Sequence, residues 1–481
     1  MKILIAASEV VPFAKTGGLA DVAGALPLAL EEEGQEVIIA MPKYKVISDS
    51  KFSIQKLNEG ISYSVIGKNI NPVRNTEATH EESKISNGVK VYFIKNDLYF
   101  NRDGLYGDKT GDHKDNLERF SFYCKRTLDL LKEINFKPDI IHVHDWQASL
   151  IPVYLKAIYA KGPFYKNIKT VLTIHNIGYQ GLFSKDRYPK LGLDWSLFNI
   201  EGLEFYDKIN ILKGGMEFSD VINTVSPTYS KEIQTKEFGF GLEGVLNKRR
   251  SSVFGILNGI DYTIWNPETD KFIAKNYSIN NLQDKYKCKE GLQKICNLPL
   301  KKDVPLFGIV SRLAEQKGFD ILAEGIEKIC KMDLQLVILG TGDLKYHILL
   351  EGMVKKYPKV ISLHLKFDDA LAHKIYAGSD IFLMPSKYEP CGLGQLISLR
   401  YGTIPLVFKT GGLADTVNKD NGFIFDKYTK DDLIKTIKES IKAYGSKEKW
   451  AELVVKAMKY NFSWEASAKK YLELYAKAKS K

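Results

Sequence analysis

Seven residues, Lys15-Thr16-Gly17-Gly18-Leu19-Ala20-Asp21, return in the same order as Lys409-Thr410-Gly411-Gly412-Leu413-Ala414-Asp415. Such an identity near both ends of a 481-residue chain is very improbable by chance. Each copy follows an apolar run, Ile3 to Ala7 and Ile404 to Phe408, and each leads into a helical pattern. The unit is a strand, a glycine turn and a helix N-terminus. Glycines there let the backbone approach a ligand, and the first helix amides favour an anion. A tight strand-to-helix turn with no ligand explains a single copy equally well. Lys15, beside the glycines, tips the first copy towards a phosphate-bearing ligand. The second copy, at Lys409, either touches phosphate or shapes the wall of a site.

The chain between the copies alternates strands and helices. Ile3–Ala7, a helix around Ala20 to Leu30 and a strand over Glu36–Ala40 begin a parallel α/β sheet. Ser64 to Gly88 is polar and reads as a mobile hairpin or loop, and Asn101 to Asp115 as a glycine- and charge-rich loop. Three later strands end in polar residues: Ile140 to Val143 in His144-Asp145-Trp146, Thr170–Ile174 in His175-Asn176, and Val221–Val225 in Ser226-Pro227. Ligands of parallel sheets bind beyond the carboxyl ends of strands, where Asp145, His175 and Asn176 lie. His175 as a satisfied structural histidine and Asp145 as a helix N-cap are the plain alternatives.

A second series starts after a linker at about Gly255 to Pro267. Its strands are Pro305–Val310, Leu334–Leu339, Val360–Leu365 and Asp380–Met384, with helices between them. Two parallel-sheet α/β domains of similar build follow from this pattern. Their boundaries are 1–254 and 255–455, with a helical tail over 456–481. Hydrophobic content of 44% and charged content of 26% fit a soluble globular protein. The start of the chain reads as a buried strand, not a signal peptide, and no apolar run approaches the roughly 18 residues of a membrane span. Five cysteines form no CxxC pair and no metal spacing, so reduced thiols and a cytoplasmic location are expected. The net charge of +11 is scattered, and its densest run, Lys248-Arg249-Arg250, is short. No nucleic-acid signature accompanies it.

Arg312 and Lys317 flank a turn after a strand, where fixed cations suit the charge that develops on a departing diphosphate. Glu389-Pro390-Cys391-Gly392-Leu393-Gly394 offers a carboxylate followed by helix-start amides for sugar hydroxyls or phosphate. Cys391 has no nearby histidine in sequence and reads as a packing residue, not a nucleophile. No metal-ligand cluster and no GxxxxGK[ST] loop is present.

These motifs, together with Leu257-Asn258-Gly259-Ile260-Asp261, Gln316-Lys317-Gly318 and Phe462-Ser463-Trp464, resemble bacterial glycogen synthase and plant starch synthase, in order and over essentially the whole chain. The resemblance implies a glycosyltransferase-B architecture with two Rossmann-like domains facing across a cleft, and a C-terminal helix that returns to the first domain. It implies transfer of glucose from ADP-glucose to the non-reducing end of an α-1,4-glucan, with retention and without a metal or other cofactor. Lys15, with Thr16, Gly17, Gly18 and Asp21, then lies at the sugar nucleotide. Arg312 and Lys317 hold the diphosphate, and His175 contacts the glucosyl group with its backbone near the reacting carbon. Asp145 is an active-site aspartate and Glu389 binds sugar hydroxyls. Trp146, Asn176, Asn258, Cys391, Gly392, Leu393 and Gly394 are further substrate contacts, and Phe367 stands where an aromatic ring stacks on adenine. Two departures are Gln147, where many bacterial members have a histidine, and Gly394, where some have a threonine.

The competing readings are a UDP-glucose enzyme of the same build, a phosphorylase with a pyridoxal Schiff base, and a non-catalytic glucan or nucleotide-sugar binder. Expected partners are the nucleotide sugar and glucan, with no nucleic acid or membrane; the sequence leaves oligomeric state open.

Overall fold

The computed structural model describes residues 1–58, 60–66 and 88–481. The stretch read as a loop over 64–88 lies mostly at 67–87, outside the described residues; Ser64 to Ile66 belong to a strand. The chain divides into two compact units. One comprises 1–225, 230–256 and 464–481; the other comprises 226–229 and 257–463.

The first unit is built on a nine-stranded sheet among the described residues. Its order is Val253–Gly255, Val221–Thr224, Lys169–Ile174, Ile140–His144, Lys2–Ala6, Glu36–Pro42, Val89–Ile94, Ile61–Ile66 and Gln55–Asn58. All neighbours pair in parallel except those involving Ile61–Ile66. Ile3, Leu4, Ile5 and Ala6 are fully buried, as strands covered on both faces require. The chain winds outward from Lys2–Ala6 in one direction, then returns to its other side at Ile140–His144. The topological switch point therefore falls between these two strands, and their carboxyl ends open a crevice there.

The second unit carries a six-stranded parallel sheet, ordered Ile361–His364, Gln335–Leu339, Leu306–Val310, Ile381–Met384, Ile404–Phe408 and Phe423–Phe425. Its switch point lies between Leu306–Val310 and Ile381–Met384. The segments leaving those strands contain Arg312, Lys317 and Glu389.

The tail divides later than expected. The helix Lys447–Met458 belongs to the second unit, with Trp450, Val454, Ala457 and Met458 in its core. The break comes at residues 459–463, where Ile260 N donates to Phe462 O at 2.8 Å and Phe462 N donates to Tyr262 Oη at 2.9 Å. The helix Trp464–Lys479 belongs to the first unit and packs on the helix Gly18–Glu32. The short segment 226–229 groups with the second unit because Ser226 Oγ donates to Pro390 O at 2.7 Å and Thr228 Oγ1 donates to Asp415 at 2.7 Å. Among the described residues no helix is long and apolar enough to cross a membrane, and all five cysteines are buried and unpaired.

Candidate functional site

In the first unit the loop after Lys2–Ala6 is organised by Glu9, a buried carboxylate that sequence reading passed over. Glu9 accepts from Thr16 Oγ1 at 2.6 Å, from Gly17 N at 3.2 Å and from the backbone N of Thr16. Tyr106 Oη donates to the same carboxylate at 2.6 Å. Thr16 therefore serves the loop with its hydroxyl. Lys15 Nζ pairs with Asp21 at 2.7 Å on the surface. A Cβ placed on Gly17 or Gly18 would meet nothing within 4 Å. Protein packing does not demand glycine at either position, and the space in front of this turn is open to a ligand.

At the neighbouring strand end, Asp145 has φ 53°, a left-handed conformation that aspartate tolerates better than most residues. Its Oδ1 accepts His175 N at 2.7 Å, and its carboxylate also accepts the Asn176 amide. Burial pushes the Asp145 carboxyl up to about 7, against the two backbone donors that favour its charged form. Asn176 Oδ1 accepts Gly178 N at 3.0 Å and closes the turn. Asp145, His175 and Asn176 thus come together as one hydrogen-bonded corner.

Behind this corner stands a histidine ladder. His142 and His144 alternate along Ile140–His144, so both project to one face, with ring centroids 4.2 Å apart. His142 bonds Tyr475 Oη at 2.8 Å and Thr173 Oγ1 at 2.7 Å. His144 Nδ1 bonds His175 Nε2 at 2.9 Å, while His144 Nε2 has no partner among the described residues. An orphaned buried N–H is rarer than an under-satisfied acceptor. His144 therefore carries its proton on Nδ1 and donates to His175, which is left protonated on Nδ1. The period-two spacing of His142 and His144 was the available signal for this ladder.

Burial holds His142 at about 3, with the His175 ring adding to the effect, and holds His144 well below the usual histidine range. The unfolded chain takes up protons near 6.5, the ordinary value, before the folded chain does. The stability these groups contribute is present above that pH and is lost as pH falls towards 3. Each should cost about 1.4 kcal/mol per pH unit in that window. We expect His142→Gln to flatten the loss of stability between pH 6.5 and 4.5 by about that slope in urea titrations. An unaltered slope would contradict the buried neutral assignment.

In the second unit Lys317 Nζ pairs with Glu389 Oε2 at 2.6 Å, the two side chains being 17% and 8% exposed. They line a pocket of about 150 Å³ together with Ser311, Ser386, Gly392, Leu393 and Gly394. Ser386 is fully buried, and its Oγ has no partner among the described residues. Gly318 has φ 81°, and a Cβ there would sit 2.1 Å from Pro385 O, so only glycine lets these two strand-end segments meet. Arg312 is exposed, with Nη2 3.2 Å from Gln316 Oε1. The pocket thus holds Lys317 already paired, while Arg312 stands at the surface outside its lining.

Several of the other expected contacts are set by packing in the structure. The Cys391 side chain is buried and bonded by the Asn258 amide, and burial pushes its thiol up to about 12. Trp146 is 9% exposed, wedged between Phe120 and Phe183, with Gly181 closed against its ring. It supports the corner from beneath. Asn258 is buried, and its Oδ1 has no partner among the described residues. A Cβ on Gly394 would lie 2.8 Å from the Phe382 ring, so a threonine there would need that ring to move. The second heptapeptide also proves to be packing. A Cβ on Gly411 would meet Glu389 O at 2.0 Å, and one on Gly412 would meet Cys391 O at 2.2 Å. This loop props the Glu389–Cys391 segment from behind, while Lys409 pairs with Asp426 at the surface. Phe367 is 87% exposed between Ile361–His364 and the next helix, which rules out a core role.

Residues 2–248 match the family of the starch synthase catalytic domain, and residues 294–455 match glycosyl transferases group 1. The chain is 46% identical over 494 residues to a glycogen synthase of Thermotoga petrophila, covering 100% of this chain and 99% of the relative. It is 48% identical over 482 residues to a glycogen synthase of Geotalea uraniireducens, covering 99% and 98%. Its fold is similar to the catalytic domain of starch synthase IV from Arabidopsis thaliana bound to ADP and acarbose, with a TM-score of 0.87, 33% identity, and 100% and 99% of the two chains covered. A sucrose-phosphate synthase of Thermosynechococcus elongatus, 16% identical with a TM-score of 0.60 over 99% of this chain and 98% of that one, shares the fold.

Proposed function

This chain belongs to the glycogen and starch synthase family, glucosyltransferases of glycosyltransferase-B fold, and from that we propose that it moves glucose from ADP-glucose to the non-reducing end of an α-1,4-glucan with retention of configuration. The observation that carries the reading is the Asp145 corner. Asp145 accepts the amide of the peptide that joins His175 to Asn176. A carboxylate on the N–H of a peptide pushes electron density onto its carbonyl oxygen, here that of His175. In this reading that oxygen faces the reacting carbon and stabilises the positive charge growing there. The His175 ring, protonated on Nδ1, donates to a glucosyl hydroxyl.

On the leaving side, Arg312 clamps diphosphate oxygens and Lys317 adds a point charge. Glu389 keeps Lys317 placed and accepts from the sugar. The amides of Gly392, Leu393 and Gly394 complete the cradle, and the open face of Gly17 and Gly18 with Lys15 receives the sugar nucleotide. The reading calls for no metal, because cations and amides of the chain take up the diphosphate charge. ADP in the structure of the Arabidopsis relative supports an adenine nucleotide.

Donor turnover tests the reading. With glycogen as acceptor, ADP-glucose should be used and UDP-glucose used poorly; equal turnover would overturn the donor assignment. Phe367 supplies a second check. An exposed aromatic ring at the nucleotide end is a stacking surface, and Phe367→Ala should weaken ADP-glucose binding by about 1–3 kcal/mol, by analogy with base stacking elsewhere. Because the ring packs on little, thermal stability should not change. Undiminished donor affinity in that variant would remove the stacking role.

A further inference from the structure

Two aromatic side chains near the His175–Asn176 corner stand out from the surface. Tyr179 is 61% exposed in the turn closed by its own amide on Asn176 O at 3.2 Å. Tyr206 is 79% exposed at the tip of a two-residue hairpin between Glu204–Phe205 and Lys208–Asn210. Tyr206 and Asp207 have φ of 50° and 59°, so the turn is of a kind that selects asparagine and glycine. A tyrosine there is a conformational outlier, and its ring gains little burial in return. Phe240 also has a positive φ, 51°, and is 48% exposed. Its ring is 3.7 Å from where a Cβ of Gly178 would be, and Tyr206 is 3.8 Å from that of Gly241. The segments carrying Tyr179, Phe240 and Tyr206 are thus neighbours beside the His175–Asn176 corner, and all three rings are exposed.

Beside Tyr206, Lys185 pairs with Asp207 at 2.8 Å and the Glu204 carboxylate accepts the Asp207 amide, while the three rings themselves present apolar faces. An uncharged ligand with flat apolar faces and hydroxyls at its edges fits such a surface. We infer that Tyr206 and Tyr179 form a stacking platform for sugar rings of the acceptor glucan several residues away from the reacting end. This inference rests on the glucan-elongating reading above. Tyrosine gives a rigid, amphipathic contact at small entropic cost, and the strained turn fixes its direction.

The test uses the full chain, unmodified and as Tyr206→Gly, Tyr206→Phe and Tyr179→Ala. Glycine suits φ 50°, so Tyr206→Gly should fold at least as stably, with an unchanged or higher Tm. It should nevertheless raise the KM for glycogen about tenfold, a 1.4 kcal/mol loss. The ADP-glucose KM and kcat should stay within about twofold, and Tyr206→Phe should behave as the unmodified enzyme. Tyr179→Ala should raise the glycogen KM in the same sense, and the defect should shrink as the acceptor shortens to maltotriose. Retardation in glycogen-containing gels gives an independent reading of affinity. If the unmodified protein is retarded and Tyr206→Gly is retarded equally with the same KM, the platform is refuted while the enzymatic reading stands. If the unmodified protein neither binds glycogen nor turns over ADP-glucose, both fall. A lowered Tm in Tyr206→Gly would show that the tyrosine serves the fold instead.

Discussion

Lys317→Ala is expected to lower turnover at least about a hundredfold and to destabilise the protein as well, whereas Arg312→Ala should lower turnover alone. The hundredfold corresponds to roughly 2.7 kcal/mol of transition-state stabilisation, the scale of losing one fixed charge at a developing anion. The difference between the two variants comes from burial. Lys317 is held 2.6 Å from Glu389 inside a pocket, and removing it leaves a buried carboxylate without its partner. Breaking such a pair typically costs about 3–5 kcal/mol. Arg312 is exposed, so its loss should move the urea midpoint by no more than about 0.5 kcal/mol. Donor affinity should fall less than turnover in both, because the charge grows as the bond breaks. The double variant Lys317→Ala with Glu389→Ala should recover part of the stability lost by the first, and none of the activity. Near-normal turnover in the single variants would remove both cations from the mechanism, and additive stability losses in the cycle would deny the pair.

How much of this was legible in the sequence depended on the range over which each feature acts. Strands and their polar ends were readable because apolar runs and the residues that stop them are local. They located Asp145, His175, Arg312, Lys317 and Glu389. The twin Lys-Thr-Gly-Gly loops show where that legibility ended. The same letters face open space at Gly17 and Gly18 but are pressed against Glu389 and Cys391 at Gly411 and Gly412. What lies opposite a missing Cβ is a tertiary fact. Glu9 was passed over for a similar reason. It follows an apolar strand, and its partners include Tyr106, almost a hundred residues away in sequence. The tail boundary was misplaced because helical periodicity continues on both sides of Asn461-Phe462-Ser463, and only the pairing of Ile260 with that segment shows which unit each helix joins. Trp146 is a substrate contact in the family resemblance, yet its ring lies in the helix that starts at Asp145 and packs between Phe120 and Phe183, a placement that no local pattern announces.

Asp145 combines a backbone role and an electrostatic one, and two substitutions separate them. Asparagine is at home at φ 53° and keeps an oxygen for a backbone donor, while alanine there is strained. Asp145→Asn should therefore fold well and lose about two orders of magnitude in kcat, because a neutral amide no longer polarises the His175 carbonyl. Asp145→Ala should lose the same activity and also unfold at lower urea. The pH dependence follows from the raised carboxyl, about 7 against an ordinary 3.8. In the mechanism we propose, the ionised form serves the reaction, so kcat of the unmodified enzyme should fall as pH drops below about 7, and the profile of Asp145→Asn should be flat there. Stability runs the other way. A group whose folded value is raised contributes stability fully present below about 3.8 and lost as pH rises through about 7. At pH 8 Asp145→Asn should therefore unfold at the same urea concentration as the unmodified chain or a higher one, which is the sense expected where a catalytic charge is held against its preference. The histidine ladder behind it has the opposite sign, gaining stability as pH rises towards 6.5, so removing the aspartate charge should steepen the net rise of stability with pH between about 4 and 7. Coincident kcat–pH profiles for the unmodified enzyme and Asp145→Asn, or a pH-8 stability loss in Asp145→Asn as large as that in Asp145→Ala, would take this carboxylate out of the machinery.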